Sequence, residues 1–140
     1  MSEEQFQAGL KCRREVLGAD YVETSLTDAD DFTHDFQRLI TEYCWGGSWG
    51  RGGLEKRERS ILNLGMIAAL NRRNEFKLHF KGAINNGLTV RELREILIQI
   101  TIYCGAPAGV DAFRIAREAL GELGIDPSKI DSEPTVGDKS

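Results

Sequence analysis

Two stretches constrain this chain most. From Lys56 to Leu70 the sequence starts charged (Lys56, Arg57, Glu58, Arg59) and then turns apolar nearly all round, through Ile61, Leu62, Leu64, Met66, Ile67 and Leu70. From Thr89 to Tyr103 the same happens: the second half carries Leu97, Ile98, Ile100, Ile102 and Tyr103. A helix without a polar face is buried on several sides. Two such helices exceed what one small helical domain easily covers, so the pattern predicts a homo-oligomer with these helices at subunit contacts.

The remaining segments also read as helices. Ser2 can cap a first helix, with Gln5 completing a capping box, and Phe6, Leu10 and Leu17 keep helical spacing up to Gly18. A loop is expected to Leu26, with Thr27 capping a second helix. Its stripe is Phe32, Phe36, Leu39, Ile40 and Tyr43. The helix from Lys56 is expected to stop at Asn71, and the next to run from Asn74 to Gly87. Thr89-Val90-Arg91-Glu92 forms a capping box, with Leu88 and Leu93 as its hydrophobic staple. Gly105 ends that helix. Pro107 suits the first turn of a last one, which should turn Val110, Phe113, Ala116 and Leu120 inward. No alternating strand pattern, internal repeat or low-complexity segment is found. The expected fold is all-α with about six helices: residues 1–123 form the helical domain, and residues 124–140 a flexible or packed-on tail.

Two places break this regularity. Residues 44 to 54, CWGGSWGRGGL, put five glycines among Trp45, Trp49 and Arg51. Glycine allows close backbone approach to a ligand. Large aromatics in a loop need something to cover. The stretch therefore reads either as a tight crossover whose tryptophans plug the core or as the wall of a substrate site. The second place is Asn74 to Thr89. Phe76, Phe80, Ala83 and Ile84 form one stripe, while Glu75 and His79, four apart, share a neighbouring face. That pairs a carboxylate with the side chain that titrates nearest neutrality. It reads as a solvated ion pair or as a proton-handling pair. His34, beside Thr33 and Asp35, reads as surface.

Composition excludes several classes. The chain has 140 residues and a net charge of -4, so it offers no electrostatic case for nucleic acid. An anionic substrate would need a local cationic patch. Three cysteines (Cys12, Cys44, Cys104) at wide spacing do not make a disulfide framework, and no zinc spacing is present. The apolar runs are too short to span a bilayer, and the N-terminus lacks the apolar core of a signal peptide. A cytoplasmic protein without metal is expected.

The loop CWGGSWGRGGL, the segment LEKRERSILNLGMIAALNRRNEFKLHFKGAINNGLTVREL and the segment EILIQITIYCGAPAGVDAF occur in this order. In them the chain resembles the 4-carboxymuconolactone decarboxylases of the carboxymuconolactone decarboxylase/AhpD-like superfamily. The likeness covers roughly Gln5 to Leu120. It implies an all-helical subunit in a ring, commonly a hexamer. It also implies a lyase of protocatechuate breakdown through the β-ketoadipate pathway, in which 4-carboxymuconolactone loses CO2 to give the β-ketoadipate enol-lactone. The peroxidase branch carries C-x-x-C-x-x-x-H on the matching helix. Here the histidine is His79, but Arg72 and Glu75 stand at the two cysteine positions and Ser60 at the relay glutamate. The resemblance therefore argues against peroxidase chemistry.

The implied substrate is its own electron sink, so no cofactor is expected. The protein must hold a dianion, stabilise an oxyanion and deliver a proton to carbon. Arg51, Arg57 and Arg59 are the candidate carboxylate clamps, bounded by Trp45 and Trp49. His79 is the candidate proton donor or oxyanion partner, with Glu75 orienting it. Cys104, in YCGAP, reads as a small buried hydrophobe or as part of the pocket wall. The alternatives are an AhpD-fold peroxidase-like or lactone-isomerising enzyme, and a non-catalytic helical oligomer that binds a small acid.

Overall fold

The computed structural model describes residues 2–132. Within them the chain is all-α: seven α-helices, one π-helical segment and one 3-10 turn, with no strand. It folds as two compact units, one through Arg59 and one from Ser60. Of the expected tail, residues 133–140 lie outside the described residues.

In the first unit, α1 (Glu3–Leu17) starts at Ser2, whose side chain accepts from the Gln5 backbone N–H. The reciprocal half of the expected capping box is not made, because the Gln5 amide donates instead to the Glu42 carbonyl at 2.9 Å. Gly18, at φ 93°, turns the chain directly into a further helix, α2 (Ala19–Thr27). This corrects the expected loop, and Thr27 is the end of that helix, not the cap of the next. Only Val22 of α2 is buried, and one inward residue leaves no period to detect. The next start is organised by Asp30, whose carboxylate accepts from the backbone N–H groups of Phe32 and Thr33.

α3 (His34–Ile40) runs without interruption into a π-helical segment, Thr41–Trp49. Its wider winding shows in the bond from Gly50 N to the Trp45 carbonyl, 2.7 Å and five residues back. α1 lies hard against this segment. A Cβ on Gly9 would stand 2.1 Å from the Thr41 carbonyl oxygen, and one on Gly46 would stand 2.5 Å from that of Gln5. Here glycine serves helix–helix approach. Between the two elements Trp45 and Trp49 stack at 5.1 Å and pack with Val16, Cys12 and Leu17. The stripe read for this region does not point inward: Phe32, Phe36, Leu39 and Tyr43 are all exposed.

α4 (Lys56–Ala69) ends at Asn71, which takes the left-handed conformation at φ 58°. In the second unit, α5 (Arg73–Asn85), α6 (Val90–Cys104) and α7 (Ala106–Glu122) enclose one core, with Leu64 of α4 part of it. Phe76, Phe80 and Ala83 of α5 are fully or almost fully buried, as the stripe predicts. The Thr89–Glu92 capping box is made in both directions, and its staple residues Leu88 and Leu93 are in the core. α7 differs from expectation. Val110 and Phe113 are exposed, and the buried face is Gly109, Ala112, Ala116, Ala119 and Leu120. Small residues win there because α6 comes close: a Cβ on Gly109 would lie 2.1 Å from Thr101 Oγ1. Ile61, Leu62 and Met66 of α4, Leu70 just after it, and Ile98, Ile102 and Tyr103 of α6 remain exposed on the single chain. After Gly124 the chain stays packed as far as it is described. Ile125 joins the core, and Arg91 donates to the Ile130 carbonyl of the 3-10 turn Pro127–Ser132 at 3.3 Å. Among the described residues no helix is long and apolar enough to cross a membrane.

Candidate active site

In the first unit the π-helical segment delivers the chain into the glycine loop. Gly50 and Arg51 are tied back to it by bonds to the carbonyls of Trp45 and Ser48, at 2.7 and 3.2 Å. Arg51 is exposed on this loop. Arg59, at the start of α4, holds the loop from the other side. Its guanidinium donates to Ser48 Oγ at 3.2 Å and to the carbonyls of Arg51 and Gly52 at 3.4 and 3.3 Å. Arg59 and the Arg51 backbone are thus brought together, and the donors of Arg59 are largely spent on the loop. Arg57 is half-buried in the first turn of the helix. Trp45 and Trp49 are 6% and 8% exposed, and they pack with Val16, Cys12 and Leu17 of α1.

Sequence reading misses the group that fixes this segment from below. Arg13 is 3% exposed. It donates to Thr41 Oγ1 and to Gln37 Oε1, each at 3.0 Å. Both partners are neutral, and burial pushes its pKa down. Nothing in the sequence separates Arg13 from the surface residue Arg14 beside it. The neighbouring Glu42 is buried too and pairs with Arg38 at 2.8 Å.

In the second unit, Glu75 sits exposed in the first turn of α5, and His79 follows one turn later, half-buried. Burial pushes the His79 pKa below its ordinary value, and the Glu75 carboxylate opposes the shift without overcoming it. At neutral pH the ring is therefore an uncharged imidazole, with one N–H to donate and one nitrogen to accept. That favours the oxyanion-partner role over a resident cationic acid. The surface reading of His34 holds; it lies 3.3 Å from Asp35.

Ser60, at the position matching the peroxidase relay glutamate, is fully buried. Its hydroxyl accepts from the Asn86 amide at 2.8 Å. A neutral hydrogen-bonded pair thus occupies the place of a titratable group. Cys104 is exposed, which corrects its reading as a buried hydrophobe. It lines an open hollow with Asn71, Arg73, Asp111 and Arg114. There Asp111 accepts from Arg73 at 2.5 Å and from Arg114 at 3.1 Å. Among the described residues no group of three or more His, Cys, Asp and Glu is placed to hold a metal.

The chain is similar over most of its length to two known decarboxylases. A protein of Acinetobacter baylyi named 4-carboxymuconolactone decarboxylase is 37% identical over 131 residues, covering 94% of this chain and 98% of its own length. A protein of Metarhizium robertsii named nitrosuccinic acid decarboxylase is 42% identical over 118 residues, covering 84% of this chain and 82% of its own. The carboxymuconolactone decarboxylase family profile matches residues 34–118, from the first residue of α3 into the last turns of α7. The chain belongs to the carboxymuconolactone decarboxylase family.

Proposed function

We propose that the protein is a cofactor-independent carbon–carbon lyase that decarboxylates 4-carboxymuconolactone to β-ketoadipate enol-lactone, a step of protocatechuate catabolism. The observation that carries this reading is the end-to-end match to the Acinetobacter enzyme. The chemistry suits the residues at hand. Breaking the bond to the leaving carboxylate sends its electron pair through the ring double bond onto the lactone carbonyl, as CO2 departs. The product then needs one proton on carbon. Arg51 and Arg57 are proposed to hold the substrate carboxylates, and Arg59 to keep the Arg51 loop in shape. The uncharged His79 donates its N–H to the developing oxyanion. A bound dianion raises the affinity of the ring for a proton, which His79 takes from solvent and passes to carbon. Glu75 orients the ring. Trp45 and Trp49 back the loop, and Cys104 is given a place in the wall without a chemical role.

The subunits are proposed to assemble as a homohexamer in the cytoplasm. The apolar side chains left uncovered on α4 and α6 support assembly.

A second reading has its own support: the nitrosuccinic acid decarboxylase is the more identical of the two relatives. A nitro-dicarboxylic acid poses the same problem, since a dianion loses CO2 next to an electron sink. Purified protein assayed with both substrates, with chelator present, decides between them. The lactone reading expects kcat/KM for carboxymuconolactone to exceed that for nitrosuccinate by at least about 100-fold, a difference of about 2.7 kcal/mol in transition-state stabilisation. The reverse ratio would transfer the assignment, and no turnover of either would leave a binding protein.

A further inference from the structure

The second unit holds a cavity of about 160 Å3 bounded by α5, α6, α7 and the 3-10 turn. Its floor is Phe80, Leu93, Leu97 and Leu120, none more than 4% exposed. Pro127 and Ile130 of the turn form one wall. That wall is fastened at both ends, by Ile125 N on the Leu120 carbonyl at 2.9 Å and by Arg91 on the Ile130 carbonyl.

The polar contribution to this cavity is one-sided. Arg94 and Arg117 line it, and no aspartate or glutamate does. Arg117 is exposed and makes no ion pair among the described residues. By contrast, both arginines of the hollow beside Cys104 are ion-paired, sharing the Asp111 carboxylate. A chain of net charge -4 thus keeps an uncommitted guanidinium over an apolar recess.

We propose that this cavity binds a single-ring aromatic monocarboxylate. A dry apolar cavity of roughly 150 Å3 takes up one benzene ring, so the space accepts a ring and little more. A carboxylate on that ring would reach the mouth, where a planar guanidinium grips it in bidentate fashion. The dianionic lactone is a poor fit, because its ring oxygen and carbonyl would lie unpaired against Phe80 and the leucines. The site is therefore separate from the one proposed for the reaction.

The test uses benzoate as probe and toluene as its uncharged counterpart, on the full-length protein in its native assembly. Titration is followed by calorimetry and by the methyl NMR signals of the leucines. Benzoate should saturate with a dissociation constant of about 1 mM or tighter and shift the signals of Leu93, Leu97 and Leu120. Toluene should bind at least about tenfold more weakly. Arg117→Gln, an exposed change, should weaken benzoate by roughly tenfold, and Arg117→Lys should recover part of this. Ala116→Leu should fill the recess and abolish binding; circular dichroism checks that this variant is folded, and Arg117→Gln carries the test if it is not. Arg51→Ala should leave benzoate affinity unchanged. No saturable binding up to about 10 mM, equal affinity in Arg117→Gln, or loss of binding in Arg51→Ala would each overturn the proposal. The last would place benzoate in the substrate site instead.

Discussion

Gly9→Ala should be among the most damaging single-methyl changes in the first unit. The added Cβ would lie 2.1 Å from the Thr41 carbonyl oxygen and 2.6 Å from Gly46 N. Ordinary contact begins at 3.4 Å, so α1 and the π-helical segment must part by about 1.3 Å. Both obstacles are backbone, so no side chain can swing away. Overpacking by one methyl costs about 1–3 kcal/mol, and a backbone obstacle puts this site at or above the upper end. Alanine returns about 1 kcal/mol through its better helix propensity. The net loss is therefore about 2 kcal/mol or more, and with a urea slope of about 2 kcal/mol/M the midpoint falls by about 1 M. Trp45 and Trp49 are the chain's two tryptophans and both lie in this contact, so their fluorescence reports on it directly. Unfolding should be followed at one fixed protein concentration, since assembly couples stability to concentration. Gly121→Ala is the control: it sits in α7 with nothing within 4 Å of the new methyl, and it should be neutral or stabilising by up to about 1 kcal/mol. A Gly9→Ala midpoint at or above wild type would refute the close-approach account of these glycines.

Three further outcomes are expected. Arg51→Ala should lower kcat/KM by roughly 30-fold or more, the low end of about 2–5 kcal/mol for removing one partner of a charged contact that the bound substrate desolvates, and Arg51→Lys should recover only part. Full kcat/KM in a folded Arg51→Ala would move the dianion site to Arg57. His79→Gln should lower kcat by about 100-fold or more with little change in KM, and it should also flatten the pH dependence of stability. The folded-state pKa of His79 lies below its unfolded value near 6.5, so its contribution is full above that pH and is lost as pH falls toward the folded pKa. Urea midpoints measured from about pH 7.5 down to about pH 5.5 should therefore drop faster for wild type than for His79→Gln; parallel curves would contradict the burial assigned to the ring. Replacing Cys12, Cys44 and Cys104 together by serine should leave appreciable turnover, and complete inactivation of a folded variant would assign chemistry to a thiol.

What the sequence makes legible is what local physics decides. The Thr89–Glu92 box, the stop at Asn71, the turn at Gly87 and the inward stripe Phe76–Phe80–Ala83 each depend on neighbours within a turn or two, and each is found as read. α2 escapes such a reading because one buried valine carries no period. The inward face of α7 is misread because hydrophobicity marks Val110 and Phe113, whereas the close approach of Thr101 selects Gly109 and the alanines. Of the glycines within residues 44–54, Gly46 serves close approach, but no local signal says that α1 is what approaches it, and Gly52 and Gly53 have open space around them. The same limit applies to the candidate site. The i,i+4 spacing of Glu75 and His79 is local and visible. The uncharged state of His79 is set by burial, and the capture of Arg59 by carbonyls seven and eight residues away is set by the fold of the loop. Spacing therefore nominates a proton-handling residue, while its protonation state comes from packing. Here burial turns His79 from a candidate cationic acid into an uncharged imidazole.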